Sequence, residues 1–126
     1  MQQLPTTTLV VTGEAIGQYA ELTQDFNPLH LDSAFAATTR MGGVIAHGTM
    51  SINLILHSLA KAFGAEAVVN VDLDIRFIKP VRVAETLTAG GERESGDARR
   101  YAVWVRGVEG EDRLVGVATL GPAALG

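Results

Sequence analysis

Hydrophobic and polar positions follow two different periods along the chain, and each period predicts one type of element. Before Gly64 most apolar residues recur at helical spacing, whereas after Gly64 they alternate with polar residues. The helical spacing predicts helices over Gly13–Thr23, roughly Ala34–Thr39 and His47–Phe63. The chain therefore divides into a helical first half and a second half of strands.

Five segments are typical of β-strands because they alternate in polarity or are rich in Thr, Val and Leu. These predicted strands are Thr6–Thr12, Val69–Phe77, Leu87–Glu94, Arg99–Val108 and Leu114–Leu120. Gly-containing turns separate the later strands, which predicts antiparallel pairing. We therefore expect the last four strands to form a meander of consecutive neighbours.

The predicted helix His47–Phe63 is apolar around most of its circumference, which is typical of a buried helix. A narrow polar stripe interrupts it and indicates the face that meets solvent or a subunit boundary; its residues are Thr49, Asn53, His57 and Lys61. An apolar helix followed by strands predicts an α+β fold whose antiparallel sheet wraps around the helix. Since no repeat or linker interrupts the sequence, we expect one domain over residues 1–126.

Composition narrows the class of protein. Hydrophobic residues make up 47% and charged residues 19% of the 126 positions, as in a globular domain with a small core that a partner subunit would help to complete. The net charge of −4 argues against nucleic acid as a partner. The chain has no cysteine, which excludes disulfides, thiol catalysis and Cys-ligated zinc.

Nothing in the sequence predicts a membrane or export segment. The most apolar stretch, Met50–Phe63, contains several polar residues and is too short to span a bilayer. The segment Met1–Val11 has no charged start and no long apolar run, so we expect no signal peptide. A cytoplasmic protein with no membrane partner is the expectation.

Candidate chemistry concentrates in two short segments. Asp25 and His30 lie on a loop that Pro28 makes rigid, and a carboxylate beside an imidazole is suited to proton transfer near neutral pH. Asn27 can brace that turn or meet a ligand. His47 and Gly48 open the buried helix, where free N–H groups and the helix dipole can stabilise an oxyanion. An acid/base pair beside an oxyanion hole is what hydration of a conjugated thioester requires.

The segment from Tyr19 to Ala36, and its core Asp-x-Asn-Pro-Leu-His at residues 25–30, resembles the hydratase 2 motif of MaoC-like and (R)-specific enoyl-CoA hydratases. The resemblance implies a hot-dog fold and a homodimer. It implies that Asp25 and His30 add water to a trans-2-enoyl-CoA, giving an (R)-3-hydroxyacyl-CoA, while the Gly48 N–H holds the thioester oxygen. Asn27 and His47 would support them, without a metal or redox cofactor.

Two positions depart from the family pattern. The family usually has Gly before the catalytic Asp, where this chain has Gln24; we expect this exchange to cost little, although it can alter the local turn. Some members have a hydroxyl residue where this chain has Leu56, and Ser51 or Asn53 are the candidates to replace it.

Several residues also have simpler interpretations. His47 is better explained as a helix-capping or structural histidine than as a reacting group. His57 belongs to the polar stripe, and a metal site built from Asp25, His30 and His47 is disfavoured because their spacing matches no familiar ligand pattern. Four cations can bind CoA phosphates or simply face solvent, and these are Arg40, Arg76, Lys79 and Arg82.

The leading hypothesis is thus an (R)-specific enoyl-CoA hydratase acting on acyl-CoA. A dehydratase acting on acyl-carrier-protein thioesters uses the same chemistry in reverse, and the sequence does not separate the two. Further alternatives are a dehydratase subunit that needs a partner chain and a hot-dog thioesterase. Free-thiol release would identify the thioesterase.

Overall fold

The structure is a computed structural model that describes residues 3–121. This part of the chain contains five strands, four α-helices and one short 3-10 helix. The strands are β1 (Thr7–Val10), β2 (Asp72–Phe77), β3 (Thr86–Arg93), β4 (Arg100–Arg106) and β5 (Asp112–Thr119). The helices are α1 (Gly13–Thr23), α2 (Pro28–Leu31), α3 (Ser33–Ala37) and α4 (Gly48–Phe63), and the 3-10 helix is Ala65–Val68.

The predicted elements are all present, with shifted ends and two additions, α2 and the 3-10 helix. The helix α2 was not predicted, because its four residues are too few to show a helical period. Strand β2 begins at Asp72 instead of Val69, since the preceding 3-10 helix takes up the chain as far as Val68. Asp32 caps α3, its Oδ1 accepting a hydrogen bond from the Phe35 N–H at 3.0 Å.

All strand pairs are antiparallel, and the order across the sheet is β1-β3-β4-β5-β2. The predicted meander of four consecutive strands is therefore wrong for β2. Only β3, β4 and β5 follow one another as neighbours, while β2 pairs with β5 and β1 takes the place beside β3. The sheet encloses α4, which packs against β1, β3 and β4.

The connection between β2 and β3 explains this order. Residues 78–85 do not form a tight hairpin, because they are bound to the segment that precedes α4. The Ala46 N–H donates to the Val81 carbonyl at 2.7 Å, and Ile45 and Arg82 form an isolated β-bridge. Because residues 81 and 82 are bound to the segment before α4, the chain does not turn back beside β2, and β3 does not pair with β2.

Helix α4 forms the centre of the core, as predicted. Its buried residues are Met50, Ser51, Leu54, Ile55, Ser58 and Leu59. The polar pair Ser58 and Thr7 is satisfied internally by a hydrogen bond of 2.9 Å between the two hydroxyl oxygens. The predicted polar stripe is exposed along the opposite face; its residues are Thr49, Asn53, His57 and Lys61.

The described residues form one sheet with its helices, although the predicted domain over residues 1–126 also includes residues 1, 2 and 122–126, which lie outside the described part. Within residues 3–121, no helix combines the length and the apolar character that crossing a bilayer demands.

Candidate active site

The loop that follows α1 is set by a left-handed residue. Gln24 ends α1 with φ 60° and ψ 29°, and its N–H donates to the Ala20 carbonyl. The Asp25 N–H also donates to the Ala20 carbonyl, at 3.1 Å. Only a left-handed residue turns the chain in this way, which is why Gly is common at such helix ends. Gln24 thus adopts a backbone conformation that glycine adopts readily.

Asn27 braces the loop from both sides. Its Oδ1 accepts a hydrogen bond from the Leu29 N–H at 3.0 Å and caps α2, in which Pro28 is the first residue. Its own N–H donates to the Asp25 Oδ1 at 3.2 Å. The sequence allowed Asn27 either to brace the turn or to meet a ligand, and these hydrogen bonds are those of a turn brace. Asp25 is held in place through its contact with Asn27, while its side chain remains 50% exposed.

His30 has a defined tautomer in its neutral form. Its Nδ1 lies 2.8 Å from the main-chain oxygen of Ile45. A carbonyl oxygen only accepts, so Nδ1 carries the hydrogen and Nε2 is left with a free lone pair. The half-buried ring therefore presents Nε2 as a proton acceptor.

His47 lies buried between two other rings. Its ring stacks on that of His30 with 4.0 Å between centroids, and the Tyr19 ring lies 5.1 Å away. His47 is 3% exposed, and its Nε2–H donates to the Asp25 carbonyl at 3.0 Å. His47 is the N-cap residue of α4, but its side chain makes no capping hydrogen bond to the helix. Within residues 3–121 its buried Nδ1 has no hydrogen-bond partner.

Gly48 is the first residue of α4, and the free N–H groups of that first turn make it a site for partial negative charge. A Cβ at this position would lie 3.0 Å from the Phe77 ring, so the position has room only for glycine unless that ring moves. Phe77 comes from the end of β2 and is 57% exposed. The alternation of residues in this strand gave no signal that the Phe77 ring meets Gly48.

A cavity of about 360 Å³ lies beside the first turn of α4. His30, His47, Gly48 and Ser51 line one side, and the other side is mostly apolar and formed by residues 77–81. Of the two proposed replacements for a hydroxyl at position 56, only Ser51 lines this cavity. Asn53 instead donates to the Tyr19 hydroxyl at 3.0 Å, and Leu56 packs against the core.

Charged groups are sparse around the cavity. Lys79 is the one lining residue among the four candidate phosphate-binding cations, and its Nζ lies 3.8 Å from the Glu111 Oε2. Arg113 also lines the cavity, and the Glu85 carboxylate that accepts its hydrogen bonds raises the pKa of its guanidinium. Away from the cavity, burial raises the pKa of Tyr101, and the nearby Arg93 partly opposes this effect.

Three residues whose spacing in the sequence disfavoured a metal site lie close together in the structure. One side-chain ligand atom from each of Asp25, His30 and His47 lies within 4.8 Å of the other two. Two of the ring nitrogens already bind main-chain carbonyls, Nδ1 of His30 and Nε2 of His47. The Asp25 carboxylate and Nε2 of His30 are not engaged in this way, and this pair is better suited to proton transfer than to a closed metal site.

Comparisons with known proteins agree with this geometry. The sequence model of the MaoC like domain matches residues 1–112. An (R)-specific enoyl-CoA hydratase from Aeromonas caviae is 36% identical over 74 residues, which are 59% of this chain and 55% of that protein. A 3-hydroxybutyryl-CoA dehydratase from Methylorubrum extorquens is 34% identical over 76 residues, which are 60% of this chain and 48% of that protein. The chain thus spans about half the length of these two curated relatives.

The solved structures confirm the predicted hot-dog fold. An unliganded R-hydratase from Pseudomonas aeruginosa matches with a TM-score of 0.81 and 28% identity, over 94% of this chain and 78% of that one. The relatives named above are hydro-lyases by name, one a hydratase and the other a dehydratase. Since the family model covers far more than half of the sequence, including the loop from Gln24 to His30 and all of α4, the chain belongs to the MaoC-like domain family.

Proposed function

We propose that this chain catalyses the reversible addition of water to a trans-2-enoyl thioester of CoA, forming an (R)-3-hydroxyacyl-CoA. The observation that carries the proposal is that an acid/base pair lies beside the N-terminus of a buried helix. His30, whose Nε2 is free, and Gly48 at the start of α4 border one cavity, and a carboxylate oxygen of Asp25 lies within 4.8 Å of a ring nitrogen of His30. The names of the relatives support the same chemistry.

The reaction needs one proton removed from water and one delivered to the α-carbon. Asp25 and His30 share these two transfers, and the hydroxide that forms adds to the β-carbon on the same face. Since Nδ1 of His30 is held by Ile45, its Nε2 is the atom that exchanges the proton. As the α-carbon gains carbanion character, negative charge moves to the thioester oxygen, where the Gly48 N–H and the dipole of α4 stabilise it.

The substrate occupies the cavity with its acyl chain against the apolar wall of residues 77–81. Lys79 lies at this cavity and is the cation best placed to meet the CoA portion. We also propose that the active form is a homodimer, because several large apolar side chains remain exposed on the single chain, such as Leu22, Phe26 and Val69.

The test follows the loss of the conjugated enoyl-thioester absorbance with crotonyl-CoA. We compare the wild type with Asp25→Asn and His30→Ala, and use His57→Ala as the control because His57 is exposed and does not line the cavity. Each site variant should lose about a thousandfold or more in kcat/KM, as for acid and base groups that act together. The control should retain the wild-type rate.

Other outcomes point to the alternatives. If the wild type releases free thiol without consuming the double bond by hydration, the chain is a thioesterase. If it acts on no CoA thioester alone but does so with a partner chain, or acts only on carrier-protein thioesters, the stand-alone CoA hydratase is wrong. If the wild type is active and both variants match it, the site is elsewhere.

A further inference from the structure

Phe77 borders the cavity beside Gly48. Its Cε1 and Cζ atoms are 3.0 Å from the position of a Cβ on Gly48. Its ring therefore covers the first residue of α4 in van der Waals contact. His30 and Phe77 border the same cavity, so the ring and the proposed acid/base group face one shared space.

The backbone around Phe77 is fixed, although its side chain is more than half exposed. Phe77 is the last residue of β2 and pairs with Leu114 of β5. The next two N–H groups, of Ile78 and Lys79, both donate to the Arg113 carbonyl, at 2.8 and 3.4 Å. The ring thus has a fixed origin and a partly free end, as expected for a side chain that shapes a binding site.

We propose that Phe77 selects thioesters without a substituent on the α-carbon, an inference that rests on the hydratase function proposed above. A thioester oxygen bound to the Gly48 N–H places the carbonyl carbon beside the ring. The α-carbon is one bond further along the chain. A methyl group on it meets either the ring of Phe77 or the His30 side of the cavity, where the reacting water must lie.

Hydration of crotonyl-CoA and of its α-methyl derivative, (E)-2-methylbut-2-enoyl-CoA, tests the proposal. The measured quantity is the ratio of kcat/KM for the branched thioester to that for the unbranched one, in the wild type, Phe77→Leu and Phe77→Ala. We expect the ratio to rise by about tenfold or more in Phe77→Ala, since one methyl group in an apolar site typically changes kcat/KM by that factor. The ratio for Phe77→Leu should lie between those of the wild type and Phe77→Ala.

Phe35→Ala is the matched control. Phe35 is 46% exposed, a value close to that of Phe77, but it does not line the cavity. Its removal should leave the ratio of the two substrates unchanged. An unchanged ratio in Phe77→Ala, in an enzyme that still hydrates crotonyl-CoA, overturns the proposal while leaving the hydratase function intact.

A second measurement does not depend on activity. Thermal unfolding of Gly48→Ala, Phe77→Ala and the double variant forms a mutant cycle. If the ring occupies the space beside Gly48, the loss of Tm caused by Gly48→Ala should be smaller once Phe77 is Ala. Additive losses of Tm would show that the ring does not restrict that space, and the proposal fails. If the wild type hydrates neither thioester, the hydratase function fails and the selection of substrates falls with it.

Discussion

The Nε2 of His47 donates a hydrogen bond of 3.0 Å to the main-chain oxygen of Asp25, so α4 holds the loop that carries the carboxylate. The same ring stacks on His30. His47 therefore contacts both proposed acid/base residues while lying almost fully buried. Its position is that of a residue that fixes the geometry of the pair.

Two substitutions of His47 separate its hydrogen bond from its ring. His47→Phe keeps an aromatic ring and removes the donor, whereas His47→Gln keeps a donor near the Nε2 position and removes the ring. We expect His47→Phe to lower kcat by about tenfold to a hundredfold with little change in KM, because a shift of the Asp25 loop misplaces a reacting group. His47→Gln should keep more of the activity.

Stability should respond differently from activity in His47→Phe. The lost hydrogen bond contributes about 1 kcal/mol, but the substitution also removes a buried Nδ1 that has no partner in the described part of the chain. Chemical unfolding should therefore give a free energy of unfolding within about 1 kcal/mol of the wild type. If activity and stability fall together in both variants, His47 is only a packing residue.

Sequence patterns were sufficient for the fold class, but they predicted a loop from Asp25 to His30 where residues 28–31 form α2, which is too short to show a helical period. The sequence predicts that α4 is buried, because a helix that is apolar around most of its circumference can avoid water only inside the core. The pairing of β2 could not be predicted, since alternation gives the two faces of a strand but not its neighbour. Contacts such as Phe77 with Gly48, and His47 with the Asp25 carbonyl, join residues at least 22 positions apart and leave no local signal.

The left-handed conformation of Gln24 predicts a substitution that increases stability. A side chain at φ 60° costs about 1–2 kcal/mol, and glycine avoids this cost but makes the unfolded chain more flexible. We expect Gln24→Gly to raise the free energy of unfolding by about 0.5–1 kcal/mol in chemical denaturation. The bond from Gln24 Nε2 to the Glu21 carbonyl is exposed, so its loss should subtract little.

Gln18→Gly is the control for Gln24→Gly, because the same exchange should lower the free energy of unfolding at this position. Gln18 is exposed in the interior of α1, where glycine costs about 1 kcal/mol. A loss of stability in both variants would mean that Gln24 is not strained. Hydration of crotonyl-CoA should be unchanged in Gln24→Gly, because the turn keeps its direction.

Arg113 lines the cavity and forms an ion pair with Glu85. Two guanidinium nitrogens of Arg113 donate to the Glu85 carboxylate, at 3.0 and 3.3 Å, and the Arg113 side chain is 10% exposed. Glu85→Gln leaves this cation without its main partner, so we expect a loss of about 2–3 kcal/mol in the free energy of unfolding. Glu94→Gln, which breaks the exposed pair with Arg100, should cost about 0–1 kcal/mol.

The difference between Glu85→Gln and the wild type should not depend on pH between about 6 and 9. The hydrogen bond from Glu85 raises the pKa of Arg113 above an already high value. A cation with a raised folded-state pKa contributes its full stabilisation below its unfolded-state pKa and loses it only as pH rises through the folded-state value. Arg113 therefore stays charged throughout that range, and thermal unfolding at three pH values checks this. A difference in Tm that shrinks steadily as pH rises towards 9 would show that another group controls the pair.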